Sequence, residues 1–138
     1  MKIQDIMHKK IIHVCPNSSI QEVAAMMKEH GFSALPVIEQ GHVTGIITRK
    51  DIIVRALACN KDPKHTKVNE IMTRKVYCVN EHENLDELAK KMAIHAVHAM
   101  PVLNDAKKIV GFVTIEDLVK RGDKDTWSRL VIALNRAA

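Results

Sequence analysis

The chain carries the same pattern twice. Displaced by 65 residues, IQDIMHKK (residues 3–10) falls on VNEIMTRK (68–75), and SALPVI (33–38) falls on HAMPVL (98–103). Between 3–38 and 68–103, 11 of 36 positions are identical, several times more than unrelated segments share. One extra residue in NDAKK then moves the offset to 66, which sets GIITRKD (45–51) on GFVTIED (111–117). What survives in that last pair is Gly, Thr and Asp. The period exceeds that of helical solenoids and propellers, and two copies make a pair rather than an array. A unit of roughly 60 residues is marginal alone, so the copies are expected to bury their sheets against each other.

Each copy has its own internal grammar. IIHV and VYCV are short β-rich runs that end in turn signals, Pro16-Asn17 and Asn80-Glu81. SSIQEVAAMMKEHG places Ile20, Val23, Ala24 and Met27 at helical spacing between a serine cap and Gly31. NLDELAKKMAIHA repeats this with Leu85, Leu88, Ala89 and Met92. ALPVIEQGHVTGIIT predicts strand, tight turn and strand around Glu39-Gln40-Gly41. RKDIIVRALA and IEDLVKRG predict a closing helix for each copy. The fold class is therefore α+β, a tandem of β-α-β-β-α repeats. The divisions are 1–58 for the first unit, 59–66 for a Pro-containing linker, 67–122 for the second unit and 123–138 for a C-terminal helix. That last helix is expected to carry Trp127, Leu130, Val131 and Leu134 on one face.

Composition narrows the function classes. At 138 residues and 46% hydrophobic content, the chain supports one compact domain with a core built from aliphatic side chains, because aromatics make up only 3%. That scarcity argues against a stacking platform for single-stranded nucleic acid. MKIQDIM lacks a signal-peptide core, and no apolar run approaches membrane-spanning length. Cys15, Cys59 and Cys78 are scattered and odd in number, as expected of free thiols in a reducing compartment, so the expected location is cytoplasmic. The net charge of +5 suits an anionic ligand or merely a solvated surface.

Thr48 and Asp51, and again Thr114 and Asp117, have the spacing of a capping box at a helix start. The same geometry serves a ligand. A helix N-terminus attracts phosphate, a threonine hydroxyl donates to phosphate oxygen, and an aspartate accepts from ribose hydroxyls. Gly45 and Gly111, on the strand leading in, leave room where a side chain would obstruct. A cap and a ligand contact are compatible in one residue.

The duplicated unit, with DIM before it, LPV or MPV in its middle and Gly-h-h-Thr-x-x-Asp at its end, resembles a CBS-domain pair, or Bateman module, over residues 1–122. It is similar to the regulatory modules of inosine monophosphate dehydrogenase and of the γ subunit of AMP-activated protein kinase. The resemblance implies sheet-to-sheet packing with pseudo-two-fold symmetry and two clefts that take an adenine nucleotide (AMP, ADP or ATP, or a related adenosyl ligand) as regulatory ligand. In the family, Thr and Asp of one unit meet phosphate and ribose while the first strand of the other lines the adenine pocket. Carried over, the first cleft comprises Ile46, Thr48, Arg49 and Asp51 with Tyr77, Cys78 and Val79, and His98 reaching a phosphate. The second comprises Phe112, Thr114 and Asp117 with Ile12, His13 and Val14, and Ser33 reaching a phosphate. Ile46 and Phe112 would pack on the nucleoside. Arg49 adds a forked phosphate donor, where the second copy has Ile115 followed by Glu116, so the first cleft is expected to hold the tighter or more phosphorylated ligand.

The remaining classes are weaker. Eight histidines invite a metal, with His95 and His98 three apart and His8, His13 and His30 in the other copy, but no cysteine or clustered carboxylate joins them; no metal is required. No nucleophile elbow, Walker loop or HExxH occurs, so catalysis is not expected. Nucleic acid and membrane are not expected partners, since RNP-like aromatics and helix-turn-helix signals are absent. A CBS protein that binds nucleic acid or metal without sensing nucleotides is the alternative. The resemblance implies signalling to an unidentified protein effector and a homodimer, for which Met26, Met27, Ile52, Ile53, Leu118 and Val119 are candidate interface residues.

Overall fold

The computed structural model describes residues 1–137, the side chains of Ala133, Leu134, Arg136 and Ala137 excepted. Two compact units form, one from Ile12–Val76 and one from Met1–Ile11 with Tyr77–Ala138. Each mixes helices and strands, as the α+β expectation requires. The segment Met1–Ile11 therefore belongs to the unit built mainly from the second copy.

In the Ile12–Val76 unit, helix α1 (Ile20–His30) starts where the Ser19 hydroxyl accepts from the Glu22 N–H, and it stops at Gly31, whose φ of 74° is left-handed. Its buried face, Ile20, Val23 and Met27, lies on strands β1 (Ala34–Glu39) and β2 (His42–Thr48). These pair antiparallel around Gln40-Gly41, both at positive φ, the turn that matches strand twist. From Thr48 the chain is continuously helical but irregular. A turn α2 (Arg49–Asp51) passes into a π-helical turn over Ile52–Ala56 and a 3-10 turn over Leu57–Cys59. The linker then leads to a short helix α3 (Val68–Ile71).

The other unit repeats this plan. Strand β3 (Val79–Asn80) pairs parallel with β4 (Ala99–Leu103), which pairs antiparallel with β5 (Ile109–Thr114). Helix α4 (Leu85–His95), capped by Asn84, buries Leu85, Leu88, Ala89 and Met92. Helix α5 (Ile115–Arg121) follows β5, and α6 (Lys124–Ala137) packs on α4 through Leu130. The 3-10 turn Ile3–Asp5 adds Ile3, fully buried, to the same core, its N–H donating to the Glu83 carbonyl at 2.9 Å.

The two hairpins share one register. Val37 faces Gly45 as Val102 faces Gly111, Pro36 faces Ile46 as Pro101 faces Phe112, and each hairpin has its irregularity just after that valine.

Four sequence expectations change. The strand expected over IIHV shrinks to one parallel bridge, Val14 to Val37, because the backbone turns at once after Val14, where the Ser18 N–H donates to the Cys15 carbonyl across Pro16. The run VYCV yields only Val79 to the strand. Met27 and Leu118 lie in the cores, so of the candidate interface residues it is Ile53 and Val119 that stand exposed. On α6, Thr126 and Leu130 turn inward while Trp127 and Val131 are about half-exposed, because the helix meets α4 along a narrower stripe than the sequence pattern suggests. Leu134 falls outside the described side chains.

Candidate functional site

Both Thr-x-x-Asp motifs sit where a strand hands over to a helix, and both form reciprocal caps. The Asp51 N–H donates to Thr48 Oγ1 at 3.1 Å, and Asp51 Oδ2 accepts from the Thr48 N–H at 3.0 Å. In the second copy the Asp117 N–H points to Thr114 Oγ1 at 3.4 Å, while Asp117 Oδ2 accepts from the Thr114 N–H at 2.8 Å and from its hydroxyl at 3.0 Å. Each box satisfies two helix-start N–H groups and fixes the carboxylate relative to the strand end.

A second donor reaches each aspartate from a distant segment. Thr73 Oγ1 donates to Asp51, 3.1 Å from Oδ1 and 3.3 Å from Oδ2. His8 Nε2 lies 3.0 Å from Asp117 Oδ1; a carboxylate only accepts, so this nitrogen carries the proton. Thr73 and His8 are equivalent positions of the repeat, each directly after Ile-Met. Both are held by paired backbone hydrogen bonds, Thr73 with Ile46 (2.8 and 2.9 Å) and His8 with Phe112 (2.8 and 3.0 Å). Sequence inspection missed this pair. The available signal was their shared place in the repeat beside residues of unlike chemistry.

The glycines explain the fit. A Cβ on Gly45 would stand 2.7 Å from Met72 Sδ and 3.0 Å from the Thr73 carbonyl oxygen. A Cβ on Gly111 would overlap Met7 Sδ and come within 3.1 Å of the His8 carbonyl oxygen. The space expected to admit a ligand is thus taken by the methionine of DIM and of EIM. That is why Gly, Thr, Asp and Ile-Met recur together: they form one interlocked site per unit.

The surroundings of the two aspartates differ. The Asp51 side chain is 8% exposed and Arg55 Nε stands 3.8 Å away, itself anchored by donating to the carbonyls of Ile71 and Met72. The Asp117 side chain is 13% exposed beside a His8 that is 40% exposed. Arg49 and Lys50 are exposed next to Thr48, whereas Ile115 is buried and Glu116 exposed next to Thr114.

The remaining expected residues divide by unit. Ile12, His13, Val14, Ser33, Ile46, Thr48, Arg49 and Asp51 belong to Ile12–Val76, and the Arg49 N–H donates to the Ser33 carbonyl at 3.0 Å. Tyr77, Cys78, Val79, His98, Phe112, Thr114 and Asp117 belong to the other unit, where the Ile115 N–H donates to the His98 carbonyl at 2.8 Å. Phe112 and Val79 are buried, while His98 and His13 are exposed. Tyr77 stacks on His95 with ring centroids 3.7 Å apart. Cys78 is half-buried, and desolvation pushes its thiol above the usual range. Among the described residues no three His, Cys, Asp or Glu side chains gather as a metal would need. A surface concavity lined by Lys2, Asn80, Glu83 and Glu87 lies near Asn80, which pairs with Leu103 at the end of β4 away from Thr114.

The CBS domain family model matches residues 3–57 and 68–124. The chain belongs to the CBS domain family. It is 35% identical to the CBS domain-containing protein YhcV of Bacillus subtilis over 84% of this chain and 81% of that one. Among solved structures, a protein with CBS domains from Burkholderia ambifaria superposes with a TM-score of 0.83 at 30% identity, over 90% of this chain and 96% of that one. The CBS domain pair of protein MJ0100, solved in complex with 5′-methylthioadenosine and S-adenosyl-L-methionine, superposes with a TM-score of 0.78 at 37% identity, over 87% and 94%. The chain spans only 22% of the related L-aspartate semialdehyde sulfurtransferase and 27% of the related inosine-5′-monophosphate dehydrogenase, both of Methanocaldococcus jannaschii.

Proposed function

We propose that this CBS pair is a non-enzymatic regulatory module whose ligand carries an adenosyl group. The observation that carries the reading is the pair of capped aspartates, each a carboxylate fixed at a strand-to-helix junction and presenting acceptor positions suited to ribose hydroxyls. Support comes from the related domain pair of protein MJ0100, whose ligands are both adenosyl compounds. AMP, ADP and ATP extend the same class. Arg49 and Lys50 beside Thr48 favour a phosphorylated ligand there, and Glu116 beside Thr114 disfavours one. Occupancy is passed to a protein effector, and the modules associate as homodimers through the faces that carry Ile53 and Val119. The compartment is cytoplasmic.

Isothermal calorimetry against AMP, ADP, ATP, S-adenosylmethionine and methylthioadenosine, repeated with Asp51→Asn and Asp117→Asn, tests the reading. Micromolar binding of at least one compound, lost with one aspartate, is the expected result. Silence with all five would leave Thr48 and Asp51 as helix caps and move attention to metal ions and nucleic acid.

A further inference from the structure

We infer that Met7 is an oxidation site for peroxide, and that its conversion to the sulfoxide releases residues 7–10 from β5. The inference involves no bound ligand, so it stands or falls apart from the function proposed above.

Met7 and Met72 hold equivalent places in the repeat, each packed into the slot of a glycine, Gly111 or Gly45. Their sulfurs are placed alike, but their exposure is not. Met72 is 5% exposed within the core of its unit, whereas Met7 is half-buried and packs against the outside of the other core. Met92 and Met100, in that same core, are each 1% exposed. Of the two methionines that fill glycine slots, Met7 is therefore the one a small oxidant reaches.

The chemistry is a two-electron oxygen transfer. A thioether lone pair attacks one oxygen of hydrogen peroxide and the O–O bond breaks. The departing hydroxide takes the proton left on the transferred oxygen and leaves as water. The product is a polar, chiral sulfoxide in place of an apolar side chain. In the slot it meets the His8 carbonyl oxygen, which lies 3.1 Å from where a Gly111 Cβ would stand and already accepts from the Phe112 N–H. Sulfoxide and carbonyl oxygens are both acceptors, so they repel, and a buried acceptor without a donor is costly. Swinging out to water relieves the sulfoxide but empties the slot. Either way the packing that shields the paired hydrogen bonds between His8 and Phe112 is lost. Ile3 and Ile6 remain in the core, so the opening is local. His8 Nε2, 3.0 Å from Asp117 Oδ1, withdraws with the segment, which couples the oxidation to the Asp117 site.

The full chain tests this after alkylation of the exposed cysteines, Cys15 and Cys59, which would otherwise consume the reagent. Dilute hydrogen peroxide is added, and mass spectrometry follows the gain of one oxygen on peptides 3–9 and 68–74, which carry Met7 and Met72. Met7 is expected to oxidise several-fold faster than Met72. Trypsin should then clip the intact protein at Lys9 and Lys10 several-fold faster, in step with the Met7 sulfoxide. Treatment with methionine sulfoxide reductase should return clipping to its starting rate. Met7→Leu, close in volume and without sulfur, should show no peroxide-dependent change. If that variant folds poorly, the reductase reversal decides by itself. Oxidation of Met72 as fast as Met7, clipping that does not follow the Met7 sulfoxide, or acceleration that persists in Met7→Leu would overturn the inference.

Discussion

His8 Nε2 lies 3.0 Å from Asp117 Oδ1 across 109 residues of sequence, as Thr73 Oγ1 lies 3.1 Å from Asp51 Oδ1. In both cases the donor belongs to the segment that leads into one sequence repeat, and the acceptor belongs to the other repeat. The exchange has a physical cause. Each hairpin offers a glycine whose missing side chain makes a slot, and each leading segment offers a methionine to fill it. Backbone pairing of the next residue with Phe112 or Ile46 then registers the donor on the aspartate. Packing, capping and the candidate site are thus one construction.

Thr73→Val keeps the shape at position 73 and removes the hydroxyl. Asp51 then loses a donor in a place where water has little access, with Arg55 Nε at 3.8 Å left to compensate. A hydrogen bond to a charged group is worth about 1.5–3 kcal/mol, so a loss of that order in urea-denaturation stability is expected. Thr73→Ser should recover most of it. Equal stability of the valine and serine variants would show that the contact contributes nothing to folding.

Gly111→Ala drives a methyl group against Met7 and the His8 carbonyl oxygen. The thioether can swing away, but the backbone oxygen can do so only by loosening the pairing of His8 with Phe112. A cost of about 1–3 kcal/mol is expected. The Met1–Ile11 segment should also open, which trypsin at Lys9 and Lys10 would report as faster clipping in limited proteolysis. Clipping at the unaltered rate would mean that the methionine alone absorbs the methyl group.

How much of this was readable from the residues depended on the range of the interaction. The Ser19 and Asn84 caps, the Gln40-Gly41 turn and the two Thr-Asp boxes are local, so spacing alone announced them. The CBS pattern followed from the same local signals repeated in order. The exchange of leading segments was not readable, for a reason built into duplication. Met7 matches a slot at Gly45 as well as one at Gly111, and a periodic sequence does not say which copy it fills. The π-helical turn over Ile52–Ala56 was equally hidden, because its side chains have ordinary helical character. Nor does spacing reveal that Met27 and Leu118 face inward, since an amphipathic helix shows its stripe without showing what covers it.

Cys78 is half-buried and burial pushes its thiol up, whereas Cys15 and Cys59 are exposed. The thiolate is the nucleophile, so a raised pKa leaves Cys78 with a smaller reactive fraction at a given pH. Iodoacetamide near pH 8, followed by peptide mass spectrometry, should modify Cys15 and Cys59 first. Modification of Cys78 should accelerate as pH rises further. Early labelling of Cys78 would place it in an open environment in solution.

Ala96 ends α4 at φ 53°, in the conformation that Gly31 adopts at φ 74° at the end of α1. The two are equivalent positions of the repeat, and each donates its N–H to the methionine four residues back, Met92 or Met27. An L-residue crowds its Cβ against backbone in this region at a cost of about 1–2 kcal/mol, while glycine does not. Part of that gain is offset, because glycine has more freedom to lose on folding. Ala96→Gly is therefore expected to stabilise the protein by about 0.5–1 kcal/mol, and Gly31→Ala, with open space around it but the same φ, to destabilise it by about 1 kcal/mol. Thermal melts of both variants decide the point. A lower midpoint for Ala96→Gly would mean that the methyl group of Ala96 contributes more to stability than its backbone strain removes.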